Sequence, residues 1–259
     1  MLSFLDLLLF LIGASVGFLS GLLGIGGGIV MFPLLLYLPP LFGFSALDIK
    51  SITGLTMVQG FFASLTALFF HHKQRFVNKP LVVCLGLSLF ASSFAGALYS
   101  KTLPDRALLI IFCMLSIIAA IMMFLPRSAE KDDSKEDSVT FNKALSVIIG
   151  LCIGFLTGMV GQGGAFLLIP TILYILKIPL RVALGSTLGI GLFSATAGLA
   201  GKVITDQVPL IQAIPMLLGA IPAASLGSFV SKNTESRHLR WLLALLITAT
   251  ALRILADVF

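Results

Sequence analysis

Gly17-Phe-Leu-Ser-Gly-Leu-Leu-Gly-Ile-Gly-Gly-Gly-Ile-Val-Met-Phe-Pro33 and Gly154-Phe-Leu-Thr-Gly-Met-Val-Gly-Gln-Gly-Gly-Ala-Phe-Leu-Leu-Ile-Pro170 are near-copies of one another. A constant offset of 137 residues aligns Gly17, Phe18, Leu19, Gly21, Gly24, Gly26, Gly27, Pro33 and Tyr37 with identical partners. Each copy interrupts a strongly apolar run with glycine. A duplicated, broken hydrophobic segment is the sequence mark of a transporter built from two repeats, with its site where the breaks meet.

Composition places that pair in a membrane. The chain is 58% hydrophobic and 11% charged, with a mean hydropathy of +1.09. Soluble domains carry about 25% charged residues. With about 20 residues per crossing, 259 residues suffice for eight to ten spans and no separate soluble domain. The expectation is an all-α integral membrane protein whose second partner is the lipid bilayer. The net charge of +6 does not point to nucleic acid, because the basic residues sit in short loops, where they set topology. Cys84, Cys113 and Cys152 lie in apolar runs without metal-ligand spacing and read as small packing residues. The first apolar run has no basic stretch before it and is expected to stay in the mature protein.

Hydrophobic elements are expected near 3–23, 29–42, 52–70, 80–100 and 107–126, then near 142–160, 165–176, 182–200, 208–230 and 239–258. This divides the chain into a first repeat (1–126), a charged cytoplasmic linker (127–138) and a second repeat (139–259). Gly96-Ala-Leu-Tyr-Ser-Lys101 parallels Gly227-Ser-Phe-Val-Ser-Lys232, which extends the duplication beyond the glycine loops.

Five elements per half make the second half inverted. If each glycine-broken pair returns to its own face, twelve Lys and Arg side chains fall on one side and five on the other. Lys50, Lys101, Arg106, Lys202 and Arg253 form the minority. If each broken pair made one crossing, the split would be eight against nine. Positive charge collects on the cytoplasmic side, so the first arrangement is preferred and both termini are expected to be periplasmic. The elements after each loop are too short to span, which makes each loop and its helix a re-entrant hairpin. Non-helical backbone at membrane depth is tolerated only against protein or a watery cavity.

Helices starting near Ile29 and Ala165 would present free N–H groups and a positive dipole end to the meeting point, which favours an anion. The expected substrate-binding residues are Gly24, Gly26, Gly27 and Gly28 of the first loop and Gly161, Gln162, Gly163 and Gly164 of the second. Thr53, Thr56, Gln59, Ser186 and Thr187 would supply polar groups from neighbouring helices. Ser186 and Thr187 have a plainer alternative, a bond to their own helix backbone. Gly13, Gly17 and Gly21, and likewise Gly150, Gly154 and Gly158, recur every four residues, the pattern of close helix packing. No Lys, Arg, Asp or Glu is expected mid-span.

Other motifs carry little. Gly13-Ala-Ser-Val-Gly17 fits a nucleophile elbow only in its letters, because it lies inside an apolar helix. The Gly24 loop lacks the Lys-Ser/Thr of a phosphate-binding loop. His71 and His72 are adjacent and point to different helix faces, so they do not make a metal pair. Neither an enzyme activity, a cofactor nor a metal site is expected.

With Gly21–Pro33, Gly158–Pro170 and Arg181-Val-Ala-Leu-Gly-Ser-Thr187 in view, the chain resembles the TauE/SafE sulfite exporter family, also called toluene-sulfonate uptake permeases. The resemblance covers essentially the whole chain. It implies a bacterial inner-membrane permease that moves sulfite, sulfonates or related sulfur-containing organic anions by alternating access, with one half rocking against the other. Export is the direction it implies. The residues by themselves also leave room for carriage of another small anion or a metal ion, or for a non-transporting membrane scaffold.

Overall fold

The computed structural model describes residues 4–23, 27–71, 78–124, 141–161, 165–232 and 236–258. They form ten helices: α1 (Phe4–Leu23), α2 (Gly28–Leu41), α3 (Ile49–His71), α4 (Lys79–Ser100), α5 (Asp105–Phe124), α6 (Lys143–Val160), α7 (Ala165–Tyr174), α8 (Leu180–Ile204), α9 (Leu210–Lys232) and α10 (Ser236–Val258). No strand occurs among the described residues. Each expected element coincides with one helix. The linker 127–138 lies outside the described residues.

Six helices have stretches long and apolar enough to cross a membrane, namely α1, α4, α5, α6, α8 and α9. By contrast α2 and α7, with 14 and 10 residues, reach only about 21 and 15 Å at 1.5 Å per residue. Both follow a glycine loop. The chain enters α2 through Gly27, whose φ of 72° is left-handed, and leaves α6 through Gly161 at φ 78°.

The side-chain distribution is that of a lipid-facing bundle. Large apolar residues point outward at helical spacing, as with Phe4, Leu7 and Leu11 on α1 or Met114, Ile118 and Ile121 on α5. Glycine and serine point inward. Lipid tails are as apolar as leucine, so helices in a bilayer gain little by hiding large side chains and more by close backbone approach. Gly13, Gly17 and Gly21 of α1 stack successively on the Met216, Ala220 and Ala224 carbonyls of α9. Gly219 and Gly227 of α9 answer on the Phe10 and Phe18 carbonyls of α1. Across the molecule, Gly154 and Gly158 of α6 meet Leu89 and Ser93 of α4, while Gly96 of α4 meets the Phe155 carbonyl. The four-residue glycine spacing is therefore a packing code.

Both seams join the first half of the chain to the second. The main helix pairs keep their pattern when α1–α5 are exchanged with α6–α10: α1·α9 becomes α6·α4, α3·α9 becomes α8·α4, and α2·α10 becomes α7·α5. The central pair α3·α8 maps onto itself, as does α5·α10. Residues 52–60 of α3 are buried without a break, so this helix has no solvent or lipid face over more than two turns.

Two asparagines begin their helices in matching ways. Asn78 Oδ1 accepts from the Leu81 N–H at 2.9 Å, and Asn142 Oδ1 from Leu145 at 3.1 Å. Asn78→Ala is expected to cost about 1 kcal/mol, the usual worth of such a cap. A modest fall in the melting temperature of the purified protein, with assembly intact, would register it.

Candidate functional site

The described ends of both glycine loops abut α3. A Cβ built on Gly161 would collide with the Thr53 carbonyl. A Cβ on Gly27 would lie 2.9 Å from Gln59 Nε2, 3.0 Å from Gln59 Oε1 and 2.7 Å from Val16 Cγ1. Thr53 and Gln59 are six residues apart, about 9 Å of rise along one helix. α3 thus brings the flanks of two loops distant in sequence to neighbouring levels. Gly24, Gly26, Gln162, Gly163 and Gly164, which were also expected to line the site, lie outside the described residues.

At the α2 end, Val30 and Met31 donate to the Gly27 carbonyl at 3.1 and 3.0 Å, the first bonds of the helix. Gly28 and Ile29 precede those bonds, so their N–H groups belong to the free end that every helix carries. Gln59 lies over this end. Its side chain is fully buried, and neither amide atom has a hydrogen-bond partner among the described residues. A buried amide without partners is costly and uncommon.

The other expected side chains are buried but already engaged. Thr56 donates to the Thr53 carbonyl at 2.9 Å, and Thr53 to the Lys50 carbonyl at 2.8 Å. Thr187 donates to the Ala183 carbonyl of its own helix, which is the plainer alternative raised for it. Ser186 takes a different partner: its Oγ accepts the Asn78 N–H at 3.1 Å and ties α8 to the start of α4. Ser15, the letter match to a nucleophile, donates to the Leu11 carbonyl at 2.9 Å.

One expectation is corrected. Lys202 was placed among the loop cations and no lysine was expected inside a span, yet its side chain is completely buried in α8. Its Nζ lies 2.7 Å from Ser100 Oγ, 2.9 Å from Thr53 Oγ1, 2.9 Å from Gln207 Oε1 and 3.0 Å from the Met159 carbonyl. The Met159 carbonyl is among the last four of α6, which have no intrahelical partner. Lys202 therefore caps the end of the broken helix while binding α3 and α4. The expected span stopped at residue 200 because a lysine ordinarily marks a membrane edge. The available signal was that Val203 and Ile204 continue the apolar pattern past it.

A sequence model of the family described as "Sulfite exporter TauE/SafE" matches residues 9–254, nearly the whole chain. The chain belongs to the TauE/SafE family. TauE/SafE relatives with similar sequences are described as membrane transporters. A probable membrane transporter protein of Methanocaldococcus jannaschii is 29% identical over 251 residues, covering 92% of this chain and 90% of that protein. One from Bacillus subtilis is 24% identical over 255 residues, 95% of this chain and 98% of its own length. One from Haemophilus influenzae is 30% identical over 200 residues, 77% and 74% of the two chains. No solved structure matches. The chain is a membrane transporter of the TauE/SafE family.

Proposed function

We propose that this transporter carries a small sulfur oxyanion, sulfite or an organic sulfonate, through a site between the two glycine loops. One observation carries the reading: the Gln59 amide is buried without a described partner over the free N-terminus of α2. An oxyanion would accept from Gln59 Nε2 and from the Gly28 and Ile29 N–H groups, whose dipole end favours negative charge. Neutral donors suit transit, since they bind an anion without trapping it. The family description, sulfite exporter, supports the substrate class and export as the direction.

The exchange symmetry of the helix pairs supports two repeats, inverted as the charge distribution suggests, with each glycine loop re-entrant. The positive-inside bias supports periplasmic termini, and the family match supports a bacterial inner membrane. The moving bodies are not the sequence halves. The glycine-packed seams α1·α9 and α4·α6 cross between halves and are the least able to slide. Alternating access then moves these mixed pairs against the α2, α5, α7 and α10 group, with α3 and α8 between them.

Proteoliposomes loaded with sulfite or methanesulfonate test this directly. Wild-type protein is expected to give flux above empty liposomes, and Gln59→Leu to lower it about 10- to 100-fold, the worth of a hydrogen bond to a charged group. The variant should fold at least as well as wild type, because it removes two unpartnered buried atoms. Absence of wild-type flux for every sulfur oxyanion tried would defeat the substrate assignment.

A further inference from the structure

The hydrogen-bond partners around Lys202 suit a charged amine. Thr53 directs its hydroxyl to the Lys50 carbonyl, and Ser100 directs its own to the Ala97 carbonyl at 2.6 Å, with Gln207 Oε1 a second acceptor at 3.2 Å. Gln207 Nε2 donates to Thr205 Oγ1 at 2.7 Å, and Thr205 donates in turn to the Gly201 carbonyl at 2.8 Å. That chain orients the Gln207 amide with Oε1 toward the lysine. Four lone pairs, including that of the Met159 carbonyl, therefore converge on Nζ. An ammonium, which only donates, fits this setting; a neutral amine would set its own lone pair against theirs.

The ammonium has no carboxylate partner among the described residues, and its four neighbours are all neutral. Lys50, one turn before Thr53 on α3, adds positive charge instead of offsetting it; its own Nζ donates to the Lys101 carbonyl at 2.8 Å. A charge inside a bilayer is costly and is normally paired. A lysine that only had to fasten helices would be served better by a nearby Asp or Glu.

We propose that Lys202 is the specificity-determining charge of the transport site, held without an internal counter-ion so that the transported anion supplies it. This rests on the anion reading of the contact between Gly27 and Gln59. Lys202 binds Thr53, and Gln59 is about 9 Å further along α3. At that separation and an effective dielectric of about 20, a unit charge changes the binding of an anion about 20-fold and leaves a neutral molecule untouched. Gln59 and the helix end recognise the sulfonyl oxygens; Lys202 selects the charged form.

Gln207→Glu is the decisive variant. It keeps the size and shape of the side chain and places a carboxylate where Oε1 already meets Nζ, and the Thr205 hydroxyl is free to turn from Gly201 toward the new oxygen. Affinity is measured by calorimetry on the purified full chain for methanesulfonate and for dimethyl sulfone, its uncharged analogue. The expected result is at least a tenfold loss of methanesulfonate affinity, unchanged sulfone affinity and a raised melting temperature. Lys202→Met is the second variant, and its anion-to-sulfone affinity ratio should fall likewise. A ratio that stays at the wild-type value in either variant would overturn the proposal alone. Wild-type protein that binds neither methanesulfonate nor sulfite would overturn it together with the anion reading beneath it.

Discussion

Gly161→Ala is expected to abolish the folded protein. The residue sits at φ 78°, where an alanine costs about 1–2 kcal/mol in backbone strain alone. Its added methyl would also run into the Thr53 carbonyl, with the Thr53 Cα only 2.7 Å away. Neither neighbour is a flexible side chain that can swing aside. Thr53 lies in the continuously buried stretch of α3, and its hydroxyl is bound by Lys202. Moving α3 would therefore break the α6 cap as well. A combined loss above about 4 kcal/mol follows, the range in which single substitutions unfold a protein. Gly43→Ala is the matched control. Its φ of 80° is nearly the same, but nothing lies within 4 Å of the added carbon, so only the backbone cost applies. Size-exclusion profiles in mild detergent should show aggregate for Gly161→Ala and a normal peak for Gly43→Ala. Equal behaviour would mean that the contact with Thr53 is not as close as described.

Gly17→Val is expected to pull α1 from α9. The Cβ alone would fall 2.7 Å from the Ala220 Cα and against its carbonyl oxygen. A branched side chain adds two more carbons to a seam that has no room for one. Overpacking ordinarily costs about 1–3 kcal/mol where side chains can shift; here backbone meets backbone, and the cost exceeds that range. Ser15→Val, two residues away on the exposed side of the same helix, should be neutral. The melting temperatures of the two variants measure the difference. A Gly17→Val protein as stable as Ser15→Val would remove the packing role of the glycine repeat.

The fold was legible because its two strongest signals reinforce each other. Apolar runs gave the ten elements, and the duplicated glycine loop led to the pairing of α1–α5 with α6–α10 under which the main helix contacts exchange. The four-residue recurrence of Gly13, Gly17 and Gly21 announced a helix seam, although nothing local named α9 as its partner. Site residues were legible as residue types. Gln59 was recognisable as a polar group in an apolar run, but its lack of partners depends on where Gly27 and Val16 come to rest. Ser186 is expected to face a ligand or its own backbone, and its contact with the start of α4, 108 residues away in sequence, was not legible. Lys202 was missed for the same reason. Its acceptors come from α3, α4, α6 and the turn after α8, and a charge near the end of an apolar run ordinarily belongs at the bilayer surface.

The α1·α9 seam also constrains how the protein is made. α1 ends at Leu23 and α9 begins at Leu210. At a synthesis rate of about 5–20 residues per second, the nascent chain delivers α9 about 10–40 s after α1 has emerged. Through that interval the glycine face of α1 has no partner of its own. α1 is thus locked only after seven intervening helices have followed it, and it must be sheltered by the insertion machinery or by lipid until α9 arrives.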